Sequence, residues 1–397
     1  MLELHEPERA FERIEEWLLG KGFFAPGGEA LVADLYLGYG LSSTIRRRLG
    51  SAPDEPCALP LAACAVRSSV HHDVHDDNNG GGGLAIGRWR RTWSEREHCA
   101  AVEAVRAAIA RGEVYQVNLV QHLEASFAGS PRSLASRLLP LTQPSPGLPP
   151  GNAWRIFGGQ GWTIASASPE LFLARRGARL WTRPIKGTRP RGRRAELLAS
   201  AKDAAEHVMI VDLERNDLSR VCRHGSVRWP ALMAPETLAG VEHLVSTVVG
   251  ELRPEVGLAE ILAATFPGGS VTGAPKIAAV DLIAELEPVG RGASMGALGR
   301  VYGTGDFELA LTIRTFAVAG GRIHLWVGGG VVWDSDAQSE VDESLTKASP
   351  LLEAIGAPLA ASVVAPERAL EAAGDTASPA GVRGVHPMPV HAKGPPS

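Results

Sequence analysis

Apolar residues along this chain change their spacing several times, and each change marks an element. Phe11, Ile14, Leu18 and Leu19 recur at helical spacing within Glu6 to Leu19, and the turn residues from Gly20 to Gly28 would end that helix. Ser94 to Arg111 reads as a second helix, with Ser94 and Glu97 spaced as a capping box and Val102, Val105 and Ile109 on one face. It leads into Tyr115-Gln116-Val117-Asn118-Leu119, a short β-type run. From Trp154 to Thr182 the spacing drops to alternation, as in Trp162-Thr163-Ile164-Ala165 and Glu170-Leu171-Phe172-Leu173, which predicts antiparallel strands between glycine turns. Helical spacing returns in Ala195 to Asp212 through Leu198, Ala201, Ala205, Val208 and Val211, and after Pro275 through Ile277, Val280, Leu282 and Ile283. Strands are expected at Gly296 to Val301, Phe307 to Val318 and Ile323 to Val332. The mixture predicts an α+β protein with a large antiparallel sheet system.

The pattern divides the chain into a short N-terminal region, residues 1–90, a central domain, 91–356, and a weakly ordered tail, 357–397, rich in Ala, Pro, Val and Gly. His71 and His75 lie four apart, as metal ligands can. Their polar neighbours and the four glycines after Asn79 cannot bury a supporting shell, so a mobile surface loop is the expectation there. No internal repeat is evident.

Composition narrows the function. A chain of 397 residues that is 45% hydrophobic can build a sizeable core, as one large domain or two ordinary ones. Its net charge of −4 gives no basic footprint, which argues against nucleic acid and anionic membranes as partners. No apolar run approaches the ~18 residues of a spanning helix, and no cleavable signal pattern opens the chain, so a cytoplasmic location is expected. Cys57, Cys64, Cys99 and Cys222 lack metal-finger or paired spacing and read as reduced thiols without chemistry.

The candidate chemistry begins at Lys186, in Pro184-Ile185-Lys186-Gly187-Thr188, sixteen positions beyond Glu170. A free lysine has a pKa of roughly 10.4, so a nucleophilic amine at neutral pH needs a shift of about 3 units, roughly 4 kcal/mol. A lone lysine between Ile and Gly also fits a snorkelling surface amine. Glu206 falls in the helix Ala195 to Asp212, while Glu340 and Glu343 are three apart on a helix capped by Ser339 or Asp336. Such carboxylates supply the hard oxygen donors that Mg²⁺ takes. They equally fit solvated helix faces paired with Lys202 and Lys347 at four-residue spacing. Pro267 to Lys276 lacks the Gly-Lys-Ser/Thr ending of a phosphate loop, and Pro275 removes a donor, so it reads as a substrate-facing turn with Pro275 in the first helical turn.

In their order, Pro184-Ile185-Lys186-Gly187-Thr188, Glu206-His207-Val208-Met209, Asp212-Leu213-Glu214-Arg215-Asn216-Asp217, Glu242-His243-Leu244-Val245-Ser246, Pro267-Gly268-Gly269-Ser270-Val271-Thr272-Gly273-Ala274-Pro275-Lys276, Ile313-Arg314-Thr315, Gly328-Gly329-Gly330 and Glu340-Val341-Asp342-Glu343 resemble the chorismate-utilising enzymes. That family includes anthranilate synthase component I, isochorismate and salicylate synthases, and aminodeoxychorismate synthase component I. The resemblance runs from about Trp93 to Pro350. Pro-Ile-Lys-Gly-Thr and Gly112 to Leu119 are most similar to the aminodeoxychorismate synthase branch, whereas anthranilate synthases generally carry Ala at the lysine position.

The resemblance implies two opposed antiparallel sheets wrapped by helices, with the active site at one end of the cleft. It further implies that residues 91–356 bind chorismate and that Glu206 and Glu343 hold Mg²⁺ with Glu340 in or near the same shell. Lys347 and Gly328 to Gly330 would then meet the ring carboxylate, Arg314 the enolpyruvyl carboxylate, and Thr188 and His243 the substrate. Glu170 would act as general acid and base, and Lys186 as nucleophile. The implied reaction converts chorismate and ammonia to 4-amino-4-deoxychorismate for p-aminobenzoate and folate or specialised metabolism. Anthranilate synthesis and a non-catalytic role are the alternatives. No cysteine sits in a glutaminase setting, so ammonia is expected from a separate amidotransferase subunit. Ser294 stands where relatives commonly carry an aromatic residue, and the segment from Thr188 to Ala195 is short. Gln143-Pro144-Ser145-Pro146 keeps one element of the family's tryptophan site, but no N-terminal counterpart is recognisable.

Overall fold

The computed structural model describes residues 1–48, 50, 52–68, 83–142, 147–149, 151, 153–238 and 241–359. The histidine and glycine run after residue 70, the Gln143 to Pro146 segment and most of the tail lie outside them.

Strands fall into two antiparallel sheets. A ten-stranded sheet runs in the order Leu2–Leu4, Ala62–Ser68, Leu31–Leu37, Ala297–Tyr302, Phe307–Leu311, Leu171–Arg176, Arg179–Arg183, Val241–Glu251, Ile185–Pro190, with Arg228–Leu238 also paired to Val241–Glu251. An eight-stranded sheet runs Gly273–Ala274, Gln116–Ala128, Arg322–Val331, Thr315–Ala319, Trp162–Ser166, Ile156–Gly159, with two short strands added along Gln116–Ala128. Apolar residues from both sheets, among them Leu35, Phe172 and Leu309 from the first and Val117, Ile164 and Trp326 from the second, join one buried cluster. The helix Ala337–Ala354 lies on the strand Arg322–Val331 and buries Val341, Ala348, Leu351 and Leu352. The expected α+β architecture with two antiparallel sheets is the one observed.

Several expected elements differ in instructive ways. The strand expected over Phe307 to Val318 is two strands in different sheets, Phe307–Leu311 and Thr315–Ala319, because the chain crosses between sheets at Thr312 to Arg314. Arg314 takes a left-handed φ of 50° there, a conformation unusual for a residue with a Cβ. A second crossover faces it: Trp162–Ser166 belongs to the eight-stranded sheet and Leu171–Arg176 to the ten-stranded one, so Ala167 to Glu170 bridges them. Both crossovers carry residues of the candidate site.

The helix expected over Ala195 to Asp212 is broken at Ser200, giving Arg194–Ala199 and Ala201–Ser219. Ser200 is extended, and its hydroxyl accepts the Asp203 amide as an N-cap. The apolar face read from the sequence is also wrong. Leu198 and Val208 are 55% and 49% exposed, and the buried face of the second helix is His207, Ile210, Val211, Glu214, Asp217 and Leu218. Two acids and a histidine on the inner face defeated a reading based on hydrophobicity. The opening helix starts only at Ala10, after a turn at Pro7, whereas Glu95–Ala110 has the expected Ser94/Glu97 capping box. The short run at Tyr115 to Leu119 grows to Gln116–Ala128, because Arg322–Val331 pairs along most of it. Pro275 precedes the helix Lys276–Leu286 as its N-cap rather than lying inside its first turn.

Candidate active site

At the Ala167 to Glu170 crossover Glu170 is buried, and its carboxylate accepts the Ser270 hydroxyl at 2.8 Å and the Ile185 amide at 3.4 Å. Burial pushes its pKa up, opposed by the Ser270 hydrogen bond and by the charges of Lys186 and Arg314. Lys186 reaches in from the strand Ile185–Pro190, and its Nζ donates to the carbonyl oxygen of Ser270 at 3.4 Å. Burial holds this amine below the ordinary lysine value, while Glu206 and Glu170 pull the other way. Ser270 thus touches both the acid and the amine. Sequence reasoning placed its loop at the substrate without singling out the residue. The only available signal was a hydroxyl inside a glycine-rich turn.

Directly after Lys186 the strand bulges at Gly187, which has φ 62°, and Thr188 comes opposite His243. The Thr188 hydroxyl and the Gly187 carbonyl both lie 3.1 Å from His243 Nδ1. The buried Nε2 has no partner among the described residues. Burial lowers the His243 pKa, with Arg314 acting in the same direction. The neutral ring with a free nitrogen is suited to exchange a proton with a bound molecule.

Arg314, half-buried at the Thr312 to Arg314 crossover, makes no hydrogen bond through its guanidinium among the described residues. Burial lowers its pKa and Glu170 opposes that shift. An unpaired guanidinium beside a buried acid is an anion site by its chemistry. Ser294, nearby in sequence to the left-handed Met295, is fully buried and donates to the Thr312 carbonyl at 3.3 Å.

Of the three metal candidates, Glu340 and Glu343 lie beside Gly329, and Glu206 is close enough to Glu340 and Lys186 to feel their charges. Glu343 pairs with Lys347 at 2.7 Å, and Lys347 also donates to the Gly328 carbonyl at 2.9 Å. Glu340 accepts from Ser335 at 2.7 Å and lies 3.9 Å from Lys202. Lys202 therefore approaches Glu340 rather than Glu206, the partner that four-residue spacing offers. Asp336, not Ser339, caps the helix by accepting the Ser339 amide at 2.9 Å. Burial raises the pKa values of Glu206 and Glu340. Burial acts on Glu343 in the same way, but Lys347, Lys202 and Lys186 outweigh it and hold that carboxyl low. A Cβ placed on Gly329 would lie 3.2 Å from Lys347 Nζ, 3.3 Å from Glu340 Oε2 and 3.7 Å from Glu343 Oε1. Glycine at that position keeps open the point where these charges converge.

The direction of the glycine peptides follows from the ladder. Val120 and Asn118 stand opposite Gly328 and Gly330, yet their amides donate to Glu287 and to the Thr272 carbonyl. In an antiparallel pair this marks both as non-hydrogen-bonded positions, so the N–H groups of Gly328 and Gly330 point away from Gln116–Ala128. The strand Thr315–Ala319 pairs only as far as Leu325, so among the described residues no strand is paired on that side of the glycines. Among the described residues no three His, Cys, Asp or Glu side chains are spaced to enclose a metal ion by themselves.

Acids, an amine and an arginine without a hydrogen-bond partner among the described residues gather where the chain crosses between the two sheets, a chemistry suited to a small anionic molecule. The family described as chorismate binding enzyme matches residues 60–353, and the chain belongs to it. Anthranilate synthase component 1 of Arthrobacter globiformis is 40% identical over 276 residues, 66% of this chain and 51% of that protein. Aminodeoxychorismate synthase component 1 of Bacillus subtilis is 39% identical over 277 residues, 68% of this chain and 57% of that protein. The chain thus aligns with little more than half the length of these relatives. Among solved structures, anthranilate synthase component I from Streptococcus pneumoniae superposes with a TM-score of 0.69 at 28% identity, covering 80% of each chain.

Proposed function

We propose that this chain is the chorismate-aminating component of aminodeoxychorismate synthase. The observation that carries the reading is the pair Lys186 and Glu170, an amine and a buried acid joined through Ser270 at 3.4 and 2.8 Å. Chorismate carries two carboxylates and must lose its C4 hydroxyl without hydrolysis of the enolpyruvyl ether. Arg314 binds the enolpyruvyl carboxylate. Lys347 and the outward amides of Gly328 and Gly330 bind the ring carboxylate.

The neutral Lys186 amine attacks C2, the ring double bond shifts, and the C4–O bond breaks as Glu170 delivers a proton to the departing hydroxyl, releasing water. Ammonia then attacks C4, the double bond returns, and the C2–N bond breaks to restore the Lys186 amine. The surplus proton of the incoming ammonia returns to Glu170. Lowered basicity in Lys186 and raised basicity in Glu170 are the shifts these roles require. Thr188 orients His243, whose free Nε2 faces proton exchange with the substrate.

Glu206, Glu343 and Glu340 are hard oxygen donors of the kind Mg²⁺ takes together with water and substrate oxygens. When bound, that ion would neutralise the ring carboxylate and fix the ring. Ammonia would come from glutamine through a separate amidotransferase subunit, in the cytoplasm, for p-aminobenzoate and folate or a specialised route.

Anthranilate synthesis is the second reading, favoured by the 40% identity to an anthranilate synthase component. Incubation with chorismate, Mg²⁺ and ammonium, followed by chromatography and mass analysis, separates the two. Aminodeoxychorismate is the expected product, and anthranilate would overturn the assignment.

A further inference from the structure

Glu214 and Asp217 are buried acids on the same helix as Glu206, and the reaction as written uses neither. Positions 206, 210, 214 and 217 follow helical spacing, so one face of Ala201–Ser219 carries Glu206 near Lys186 and, two to three turns on, this acid pair. Glu214 Oε1 accepts the Gly269 amide at 2.9 Å, immediately before Ser270. A Cβ on Gly269 would lie 2.7 Å from Leu213 Cδ2 and 2.9 Å from that same carboxylate oxygen, so a side chain there would displace one or both. Asp217 pairs with Lys276, which also donates to the Thr265 carbonyl at 2.9 Å and ties together the two ends of the loop. The loop's later half has its own anchors: Arg291 donates to the Val271 carbonyl at 2.8 Å and Asn118 to the Thr272 carbonyl at 2.7 Å. Glu214 therefore holds the half that carries Ser270.

We infer that Glu214 is a positioning residue: through the Gly269 amide it fixes Ser270, and so sets the hydrogen bonds that Ser270 gives to Glu170 and accepts from Lys186. The inference rests on the reading of Glu170 and Lys186 as the reacting acid and amine. An isolated carboxyl in this place is costly. Burial, with Asp217 close by, pushes Glu214 up to about 7, and an apolar side chain could fill the same space without that penalty. What an apolar side chain lacks is the acceptor oxygen.

The test is a double-mutant cycle on the complete chain, reading kcat against pH with saturating chorismate, Mg²⁺ and ammonium. Glu170 faces Lys186, Arg314 and Glu214 as well as the Ser270 hydroxyl, all of which stay in place in Ser270→Ala except that hydroxyl. Removing a donor that favours the charged carboxylate moves the limb assigned to Glu170 to higher pH. Glu214→Ala should move it in the same direction and lower kcat roughly ten-fold, and in the double variant the limb should move no further than in Ser270→Ala alone. Glu214→Gln keeps an oxygen acceptor and should hold the limb where the wild type has it. Additive displacement of the limb in the double variant, or a limb displaced by Glu214→Gln as far as by Ser270→Ala, would overturn the inference. The Gln variant decides the matter even when Glu214→Ala does not fold. Failure of the wild type to convert chorismate would instead sink the catalytic reading beneath it.

Discussion

Glu170 and Arg314 occupy facing crossovers between the two sheets, stitched by the Ala167 amide on the Arg314 carbonyl and the Leu311 amide on the Glu170 carbonyl, each at 3.0 Å. Neither residue lies within a regular strand, and Arg314 holds a left-handed φ of 50°. Strain of this sort costs of order 1–3 kcal/mol and persists where the surroundings over-determine it. Arg314→Lys should therefore raise the KM for chorismate by tenfold or more while leaving the fold intact, because a point charge cannot replace a fork presented from that backbone. Steady-state kinetics check it, and an unchanged KM would remove Arg314 from the carboxylate site.

The carboxylates around Gly329 give a second prediction. Charge-neutral Gln at Glu206 or Glu343 should cut Mg²⁺-dependent turnover about 100-fold or more with little change in circular dichroism, since the lost ligand acts on the bound state. Calorimetric titration of Mg²⁺ with chorismate present provides a readout independent of turnover. Full activity of both variants in chelator-treated buffer would dispose of this metal site.

How far the sequence reveals this arrangement depends on which interaction dominates locally. The Ser94/Glu97 capping box and the α+β sheet system could be read directly, because capping and alternation are short-range signals. The inner face of Ala201–Ser219 could not, since burial of Glu214 and Asp217 is decided by partners such as Gly269 and Lys276 that lie over 50 residues away. The crossover at Arg314 was likewise hidden. Phe307 to Val318 is continuously β-prone, and only pairing with two different sheets breaks it. Motif order brought Glu170, Lys186, Arg314 and the glycine run into one proposal, but the bridging part of Ser270 needed coordinates.

Buried histidines contribute a loss of stability toward acid pH. His122 stacks on His324 with ring nitrogens 3.0 Å apart, and burial, with each other's charge and that of Arg322, lowers His122 to about 3. Burial likewise holds His324 and His98 at about 4. A folded-state value depressed below the unfolded value of about 6.5 means the unfolded chain binds more protons, so stability falls as pH drops below about 6.5. Each such group contributes a slope approaching about 1.4 kcal/mol per pH unit. Buried carboxyls such as Glu214, raised to about 7, oppose this slope, so the contribution is read as a difference: in denaturant melts between pH 7 and 5, His122→Gln should remove close to one proton of the histidine contribution relative to the wild type. An identical slope in that variant would mean His122 is not buried neutral.

The nitrogen source gives a further test. Of the four cysteines, Cys64 and Cys222 are buried and Cys57 and Cys99 half-buried, and burial raises the pKa of each. Raised thiol pKa values are the reverse of what a glutaminase nucleophile needs. The purified chain should use ammonium salts at alkaline pH and almost no glutamine until an amidotransferase subunit is added. Glutamine-dependent turnover by the single chain would contradict the two-subunit proposal.

Lys186 separates amination at C4 from anthranilate synthesis. If its amine adds to the ring, chorismate and Mg²⁺ without ammonia should leave a fraction of the protein with a ring-derived adduct on the peptide containing Lys186, visible by mass spectrometry after acid quench. The neighbourhood supports such an adduct, since burial lowers the amine's pKa and Ser270 holds it within reach of the Glu170 proton. Lys186→Ala should lose the adduct and slow amination by about 10-fold or more, with residual turnover from direct attack of ammonia in the enlarged site. Equal rates in wild type and variant would reduce the lysine to an electrostatic aid. An adduct that survives the substitution would place the covalent step on another residue.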